Sequence, residues 1–154
     1  MWPGRHHSRG QAAVELALVS PVLGLLLLGT ADFARAFYFN QEVVAAARAG
    51  AQYGCQSVTT AADTSGIQAA ALANGVNVSG LSASSSVCTC QSPAPTGETS
   101  CGTGYCNGAN STATYVTVTT TATFRTLVHY PGVPQTANLS GTAIMQVINE
   151  GTSS

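Results

Sequence analysis

The sequence contains no lysine, and charged residues make up only 7% of its 154 residues. A typical soluble domain is about one-quarter charged. Binding to nucleic acid requires a basic surface that neutralises several phosphates, and five arginines spread along the chain do not supply one. The composition therefore argues against an electrostatic nucleic-acid binder. The hydrophobic share of 45% likewise argues against a largely disordered chain.

The sequence also has few residues that are suited to catalysis. Beyond the first ten residues it has a single histidine, His129, which precedes Pro131 in a predicted loop. Its only aspartates are Asp32 and Asp63. No local motif supports a Ser-His-Asp set, and no glycine-rich phosphate loop follows a strand. We therefore expect no enzymatic activity and no cofactor.

A long apolar run lies near the amino terminus. Residues 16–31 are uncharged, and extension back to Ala12 gives twenty residues that only Glu15 interrupts. A helix needs roughly 20 apolar residues to cross a hydrocarbon core about 30 Å thick. Arg5 and Arg9 precede the run and favour a cytoplasmic amino terminus. The sequence predicts a single-pass protein of the cytoplasmic membrane with an extracytoplasmic carboxyl-terminal domain.

The helical pattern continues past the end of the apolar run. Neither proline nor glycine occurs between Asp32 and Gly50, and Asp32 and Arg35 are spaced for an i,i+3 ion pair. Gly54 is the predicted carboxyl-terminal cap. The pattern predicts one helix over residues 12–53, membrane-embedded first and amphipathic afterwards. Its second part has an apolar stripe formed by Phe33, Phe37, Val44, Ala47 and Ala51.

The same region resembles a known protein family. In the string RGQAAVE, Glu15 stands five residues after Gly10. Further matching features are Pro21, the leucine run, Asp32-Phe33, Arg35-Ala36 and Ala46-Ala47-Arg48 followed by Gly50-Ala51. In their order and spacing they resemble the TadE-like pseudopilins of bacterial tight-adherence (Flp-type) pilus systems. The resemblance covers residues 9–54.

The resemblance implies a processed precursor. Residues 1–10 would be a basic leader that a prepilin-type peptidase removes, with Gly10 before the scissile bond. Gln11 would be the mature amino terminus, and Glu15 the acidic determinant of processing. The chain would then be a minor pseudopilin-like subunit of a tight-adherence (type IVb/Flp) pilus or a related secretion system. Its implied partners are the lipid bilayer, the peptidase, other pilus or pseudopilin subunits and the assembly platform.

Two other interpretations stay open. Ala34-Arg35-Ala36 has the form of a signal-peptidase site after a hydrophobic run, which would make the chain an exported protein. Alternatively, the chain is an uncleaved single-pass anchor that carries a small binding or adhesive domain. The three interpretations differ in the mature amino terminus. It would be Gln11 for the processed pseudopilin, Phe37 for the exported protein, and Met1 or Trp2 for the uncleaved anchor.

Residues 55–154 are predicted to form a small extracytoplasmic α+β domain. Ser65 and Gln68 form a capping-box pattern before a short helix that ends at Gly75. Residues 76–90 alternate as a strand with a bulge at Gly80. Residues 114–124 and 139–148 are further strands, which we expect to pair antiparallel beneath the amphipathic end of the long helix. The predicted fold class is α+β, with residues 11–54 as a long helix packed on a small antiparallel sheet, as in pilins.

Five cysteines lie in the second part of the chain. Zinc ligand pairs are usually spaced C-x2-4-C, which the single-residue spacing of Cys88 and Cys90 does not fit, so no metal site is expected. In an oxidising compartment disulfides are expected instead. We predict two bridges within the group Cys88, Cys90, Cys101 and Cys106, with the partners unassigned. Cys55 is then free or paired between chains.

Overall fold

A computed structural model of the chain describes residues 8–90, 99–101, 113–129 and 132–148. Three helices come first in the chain: α1 (Ser8–Gly54), α2 (Val58–Ala62) and α3 (Thr64–Asn74). The strands that follow are β1 (Ser82–Thr89), β2 (Thr99–Ser100), β3 (Thr114–Arg125) and β4 (Thr136–Gln146). The predicted α+β class with a long amino-terminal helix is confirmed.

The strands form one sheet in the order β2-β1-β3-β4. Strand β3 pairs antiparallel with both β1 and β4, whereas the two-residue β2 pairs parallel with β1. The predicted antiparallel pairing of the last two long strands is therefore confirmed. Strand β4 begins at Thr136, three residues before the predicted start at Leu139, because its first residues pair with the end of β3.

The alternation of β3 separates a buried face from a hydroxyl face. Val116, Val118, Ala122 and Phe124 are buried, as predicted, because residues two apart in a strand point to the same side. The opposite face carries hydroxyl pairs across the sheet, Ser82 with Thr121 at 2.7 Å and Thr119 with Thr142 at 3.3 Å. The sheet therefore presents one apolar side to the helices and one polar side on which hydroxyl groups predominate.

The second part of α1 packs on the buried side of β3 and β4, with α3 beside it. The helix face that makes this contact consists of small residues, among them Ala46, Ala47, Gly50 and Ala51. A Cβ atom added at Gly50 would lie 3.0 Å from the Ile67 carbonyl oxygen and 3.1 Å from a Val118 methyl group. Small side chains thus set a short distance between α1, α3 and the sheet.

The apolar stripe predicted for α1 is partly wrong. Ala47 and Ala51 are buried, but Phe33 and Phe37 are 74% and 58% exposed. The buried face instead passes through Asp32, Val43 and the small residues at positions 46–54. Periodicity gives most weight to large apolar side chains, whereas a close helix–sheet contact selects small ones. The predicted stripe is therefore right at Ala47 and Ala51 and wrong at Phe33 and Phe37.

Two local predictions in the region that connects α1 to β1 are also wrong. The amino-terminal cap of α3 is Asp63 rather than Ser65, because the Asp63 carboxylate accepts a hydrogen bond from the Gly66 amide at 2.9 Å. Gly80 is not a bulge within a strand. It lies in the turn before β1 with a φ of 72°, a left-handed conformation that favours glycine. The predicted helix end at Gly75 is confirmed.

A close contact between α1 and the sheet lies at the pair Thr120 and Gly141, which face each other on β3 and β4. The buried Thr120 hydroxyl donates a 2.7 Å hydrogen bond to the Val43 carbonyl oxygen of α1. A Cβ atom at Gly141 would lie 2.8 Å from Val44 Cα and 2.9 Å from the Val43 carbonyl oxygen. The helix backbone therefore rests directly on the backbone of β4.

Candidate processing site and membrane helix

The predicted processing residues lie at the beginning of α1. Gly10 and Gln11 belong to the first helical turn, where the N–H groups have no intrahelical acceptor and helices fray readily. Glu15 follows about 7.5 Å further along the helix axis. Gly10, Gln11 and Glu15 are exposed, and within the described residues the Glu15 carboxylate makes no hydrogen bond or ion pair. The structure thus leaves both the peptide bond and the carboxylate accessible.

The apolar run forms an uninterrupted part of α1 that is long and apolar enough to cross a membrane. None of its most apolar window is buried against the described remainder of the chain. Large apolar side chains are exposed along its whole length: Val14, Leu16, Leu18, Val19, Val22, Leu23, Leu25, Leu26, Leu27 and Leu28. Leaving one such side chain in water rather than burying it costs about 1.5–3 kcal/mol. This surface therefore requires a cover that the described residues of the chain do not provide.

Pro21 lies inside this run without ending the helix. A proline has no N–H group, so the carbonyl oxygen of Ala17 loses its backbone donor. The Ser20 hydroxyl donates to this oxygen over a long distance of 3.5 Å. Further along, the Thr30 hydroxyl donates to the Leu26 carbonyl oxygen at 2.7 Å. Hydroxyl groups in the run are therefore bonded to the helix backbone, which suits a lipid environment.

Asp32 joins the end of the apolar run to the folded domain. Its carboxylate is 6% exposed and accepts hydrogen bonds from the Leu127 amide at 3.1 Å and the Val128 amide at 3.4 Å. Arg35 forms the predicted ion pair with it at 3.2 Å and lies over the Phe124 ring, 5.5 Å from the ring centroid. One carboxylate therefore fixes the segment after β3 to α1 at the point where the apolar run ends.

The connection between β3 and β4 is closed at its base. The Thr126 amide donates to the Gln135 carbonyl oxygen at 3.0 Å, and Arg125 pairs with Thr136 in the sheet register. His129 is exposed in this connection and is hydrogen-bonded to the Gln135 side chain. The predicted loop over residues 127–135 is confirmed for the residues that the structure describes there.

The Asp63 carboxylate belongs to a hydrogen-bond network that has a structural role. Besides the Gly66 amide, its carboxylate accepts hydrogen bonds from the Ser65 hydroxyl at 2.7 Å and the Tyr53 hydroxyl at 3.0 Å. These donors hold the pKa of Asp63 below its usual value, the Ser65 hydroxyl contributing most. The same carboxylate raises the pKa of the Tyr53 hydroxyl. Asp63 thus ties α3 to the end of α1, and its hydrogen bonds do not involve His129.

Two of the predicted disulfide candidates are joined to each other. Cys88 and Cys101 form a disulfide that links β1 to the residue after β2, with a Cα–Cα distance of 5.0 Å. Cys90 is also disulfide-bonded, while Cys106 lies outside the described residues. Cys55 is a half-buried free thiol. Within the described part of the chain, no cluster of three His, Cys, Asp or Glu side chains is placed to hold a metal ion.

Comparison with known protein families agrees with the amino-terminal helix described above. Residues 10–52 match the family described as TadE-like protein. The amino-terminal segment is TadE-like. The match begins at Gly10, covers the apolar run and ends within α1, so the sheet lies outside it. No curated protein and no solved structure matches the chain. The predicted family resemblance is confirmed, and a TadE-like segment on a helix capable of spanning a membrane fits a protein related to the tight-adherence pilus.

The structural role of Asp32 could not be read from the sequence. Its position at the end of the apolar run and its pairing with Arg35 were visible, but its main partners are backbone amides 95 and 96 residues away. Thr120 was likewise unassigned, although its place between Val118 and Ala122 in the alternating strand put it on the buried face. A buried threonine in an otherwise apolar set indicates an acceptor on the opposite element.

Proposed function

We propose that the chain is a minor pseudopilin-like subunit of a tight-adherence pilus or a related secretion system, anchored in the cytoplasmic membrane. A prepilin-type peptidase cleaves its precursor between Gly10 and Gln11. The carboxyl-terminal domain is extracytoplasmic, and the chain is a substrate of an enzyme rather than an enzyme. The observation that carries the proposal is that the TadE-like match begins at Gly10 and continues along an apolar helix that the domain leaves uncovered.

The exposed helix supports the role of an anchor and an assembly element. Its apolar side chains point in all directions, so lipid covers them in the membrane and helices of neighbouring subunits cover them in an assembly. Within the described residues, the buried positions of α1 begin at Asp32, which leaves the apolar run free for both. The bilayer, other pilus or pseudopilin subunits and the assembly platform are the partners that this arrangement serves.

Glu15 gains a partner when the leader is removed. Cleavage places a new amino group on Gln11, four residues or one helical turn before Glu15. A carboxylate near a helix amino terminus is also stabilised by the helix dipole. A charged side chain costs about 2.5–3.5 kcal/mol at the centre of a membrane on insertion scales. A positive partner for Glu15 at the membrane surface lowers the cost of keeping this carboxylate next to the apolar run, and this favours the processed chain.

The structure weighs against a signal-peptidase site after Ala36. Helix α1 passes through Ala34 and Ala36 without interruption, and Asp32 accepts hydrogen bonds from Leu127 and Val128. Cleavage after Ala36 would remove the carboxylate that holds the segment after β3. The uncleaved anchor differs from our proposal only in keeping the leader, so processing is the step to test.

The test is cleavage of the full chain, inserted into membranes, by a prepilin-type peptidase. We compare Glu15→Gln with Glu42→Gln, which makes the same change on the same helix outside the apolar run. We expect the parent chain and Glu42→Gln to lose residues 1–10, and cleavage of Glu15→Gln to fall at least several-fold. Equal cleavage of both variants would remove Glu15 from the proposal, and no cleavage of the parent chain would overturn it.

A further inference from the structure

An apolar groove of about 470 Å³ lies where α1 leaves the apolar run. One wall is α1 at Phe33 and Ala36, and the other is the end of the β3–β4 hairpin at Phe124, Val133 and Pro134. Asp32 lies at the groove and holds the hairpin against the helix through the Leu127 and Val128 amides. The groove is therefore a fixed feature of the contact between the membrane helix and the domain.

The rim of the groove is unusually apolar for a surface. Phe33 and Val133, one from each wall, are 74% and 52% exposed. Leu127, whose amide donates to Asp32 at the groove, is 69% exposed. Phe37, four residues after Phe33 on the same face of α1, is 58% exposed and extends this apolar surface by one helical turn. Contiguous apolar patches of this kind mark surfaces that contact another apolar phase or a partner.

The position of the groove identifies what covers it. Phe33 lies two residues, about 3 Å along the helix axis, beyond Ala31, where the apolar run ends. The headgroup layer extends about 5–8 Å beyond the hydrocarbon core on each side of a bilayer. The groove therefore lies at the boundary of acyl chains and headgroups, and its apolar rim continues the exposed surface of the apolar run. Arg35, which pairs with Asp32, and Arg125, which follows Phe124 in β3, are neighbours of residues that line the groove.

We propose that the β3–β4 hairpin is a second membrane contact, and that phospholipid acyl chains of the outer leaflet fill the groove against Phe33 and Val133. Because the domain is packed on the second part of α1, this contact holds the helix and the domain together at a fixed tilt to the bilayer. The proposal requires the membrane anchor of the proposed function but does not depend on cleavage after Gly10.

Depth-dependent fluorescence quenching tests the proposal. The full chain with Trp2→Phe, which removes its only tryptophan, is reconstituted into phosphatidylcholine–phosphatidylglycerol vesicles with brominated acyl chains. Val133→Trp and Leu127→Trp are two reporters at exposed positions. Leu23→Trp is the control within the apolar run, and Val58→Trp in α2 is the control at the opposite end of the domain. Along α1, the segment from Asp32 to Gly54 separates the two ends by about 33 Å.

We expect Val133→Trp and Leu127→Trp to be quenched comparably with Leu23→Trp and several-fold more strongly than Val58→Trp. Quenching of Leu23→Trp alone would overturn the proposal and leave the anchor intact. Absence of quenching at all four positions would overturn the anchor and the proposal together. The fluorescence of Val133→Trp could instead be unquenched by the brominated lipid and change with the protein-to-lipid ratio. That result would show that a second copy covers the groove, and it would also overturn the proposal.

Discussion

At the scale of single residues, Asp32 contributes most to holding the β3–β4 hairpin against α1. A buried carboxylate needs hydrogen bonds, and here the partners come from two separate parts of the chain: Arg35 one turn ahead on α1 and the amides that follow β3. The same residue therefore ends the apolar run, satisfies exposed backbone groups and sets the position of the hairpin. Replacement of Asp32 should therefore destabilise the hairpin more than the helix.

We expect Asp32→Ala to destabilise the domain by about 1.5–3 kcal/mol, since hydrogen bonds to a charged group are lost. Chemical denaturation in detergent micelles measures this change, and hydrogen exchange at the Leu127 and Val128 amides locates it. Arg35→Gln is the matched control. Because the Arg35 side chain is 39% exposed, its removal should cost less than about 1 kcal/mol. Unchanged protection of both amides in Asp32→Ala would contradict the assigned role.

The hydrogen bonds that the Asp63 carboxylate accepts, chiefly from the Ser65 hydroxyl and then from the Gly66 amide and the Tyr53 hydroxyl, predict how stability depends on pH. The pKa of Asp63 is lowered, so its contribution is present above the usual value of 3.8 and is lost as the pH falls through the lower folded-state pKa. The pKa of Tyr53 is raised, so its contribution is present below 10.0 and is lost as the pH rises through the folded-state value.

Asp63→Asn isolates the acidic side of this dependence. Asparagine remains a good amino-terminal cap for α3 but does not titrate. We expect the denaturation midpoint of the parent chain to fall more steeply below pH 4 than that of the variant. Parallel curves for the two proteins would show that the carboxylate does not supply the acid sensitivity.

At the scale of elements, the contact of α1 with β4 depends on the absence of a side chain at Gly141. A methyl group there would meet the backbone of Val43 and Val44, and neither the helix nor the strand can move without disturbing its partners. The hydrogen bond from Thr120 to Val43 holds the same crossing point from β3.

We expect Gly141→Ala to destabilise the domain by about 1–3 kcal/mol, even though alanine normally suits a strand better than glycine. Ser140→Ala, on the neighbouring exposed position of β4, should change the free energy of unfolding by less than about 0.5 kcal/mol. Denaturation of both variants under the same conditions gives the comparison. A stabilised Gly141→Ala protein would mean that α1 lies further from the sheet than described.

The elements themselves were largely predictable because their patterns are strong. The alternation of β3 and the uninterrupted pattern of α1 depend on local sequence, and both were recognised. What failed depends on partners that are distant in sequence or on small residues. Phe33 and Phe37 looked like a packing stripe, whereas Ala46, Gly50 and Gly54 make the contact. Two-residue β2 has no sequence pattern of its own, since its pairing with β1 adds only two register positions.

At the scale of the whole molecule, the processing residues and the domain lie at opposite ends of one helix. With the helix across a membrane, Gly10 and Gln11 face one side, and everything after Asp32 faces the other. In the proposed function the first side is the cytoplasm, which the family resemblance and the arginines before Gly10 favour. The helix that is long and apolar enough to span a membrane was predictable from sequence, because this property depends on length and composition rather than on tertiary contacts.

The free thiol of Cys55 provides a test of this orientation. We expect a membrane-impermeant maleimide, applied without reductant to spheroplasts, to label Cys55, because the thiol is half-exposed beyond α1. In a Cys55→Ser background, Ala12→Cys should be labelled only after permeabilisation. Labelling of Ala12→Cys in intact spheroplasts, with none at Cys55, would reverse the orientation.

The most direct measurement of the central claim is the amino-terminal residue of the natural protein isolated from membranes, determined by mass spectrometry. The account predicts that the chain begins at Gln11, with the apolar helix, Asp32 and the domain retained on the same polypeptide. Recovery of a chain that still begins at Met1 or Trp2, or of one that begins at Phe37, would contradict it.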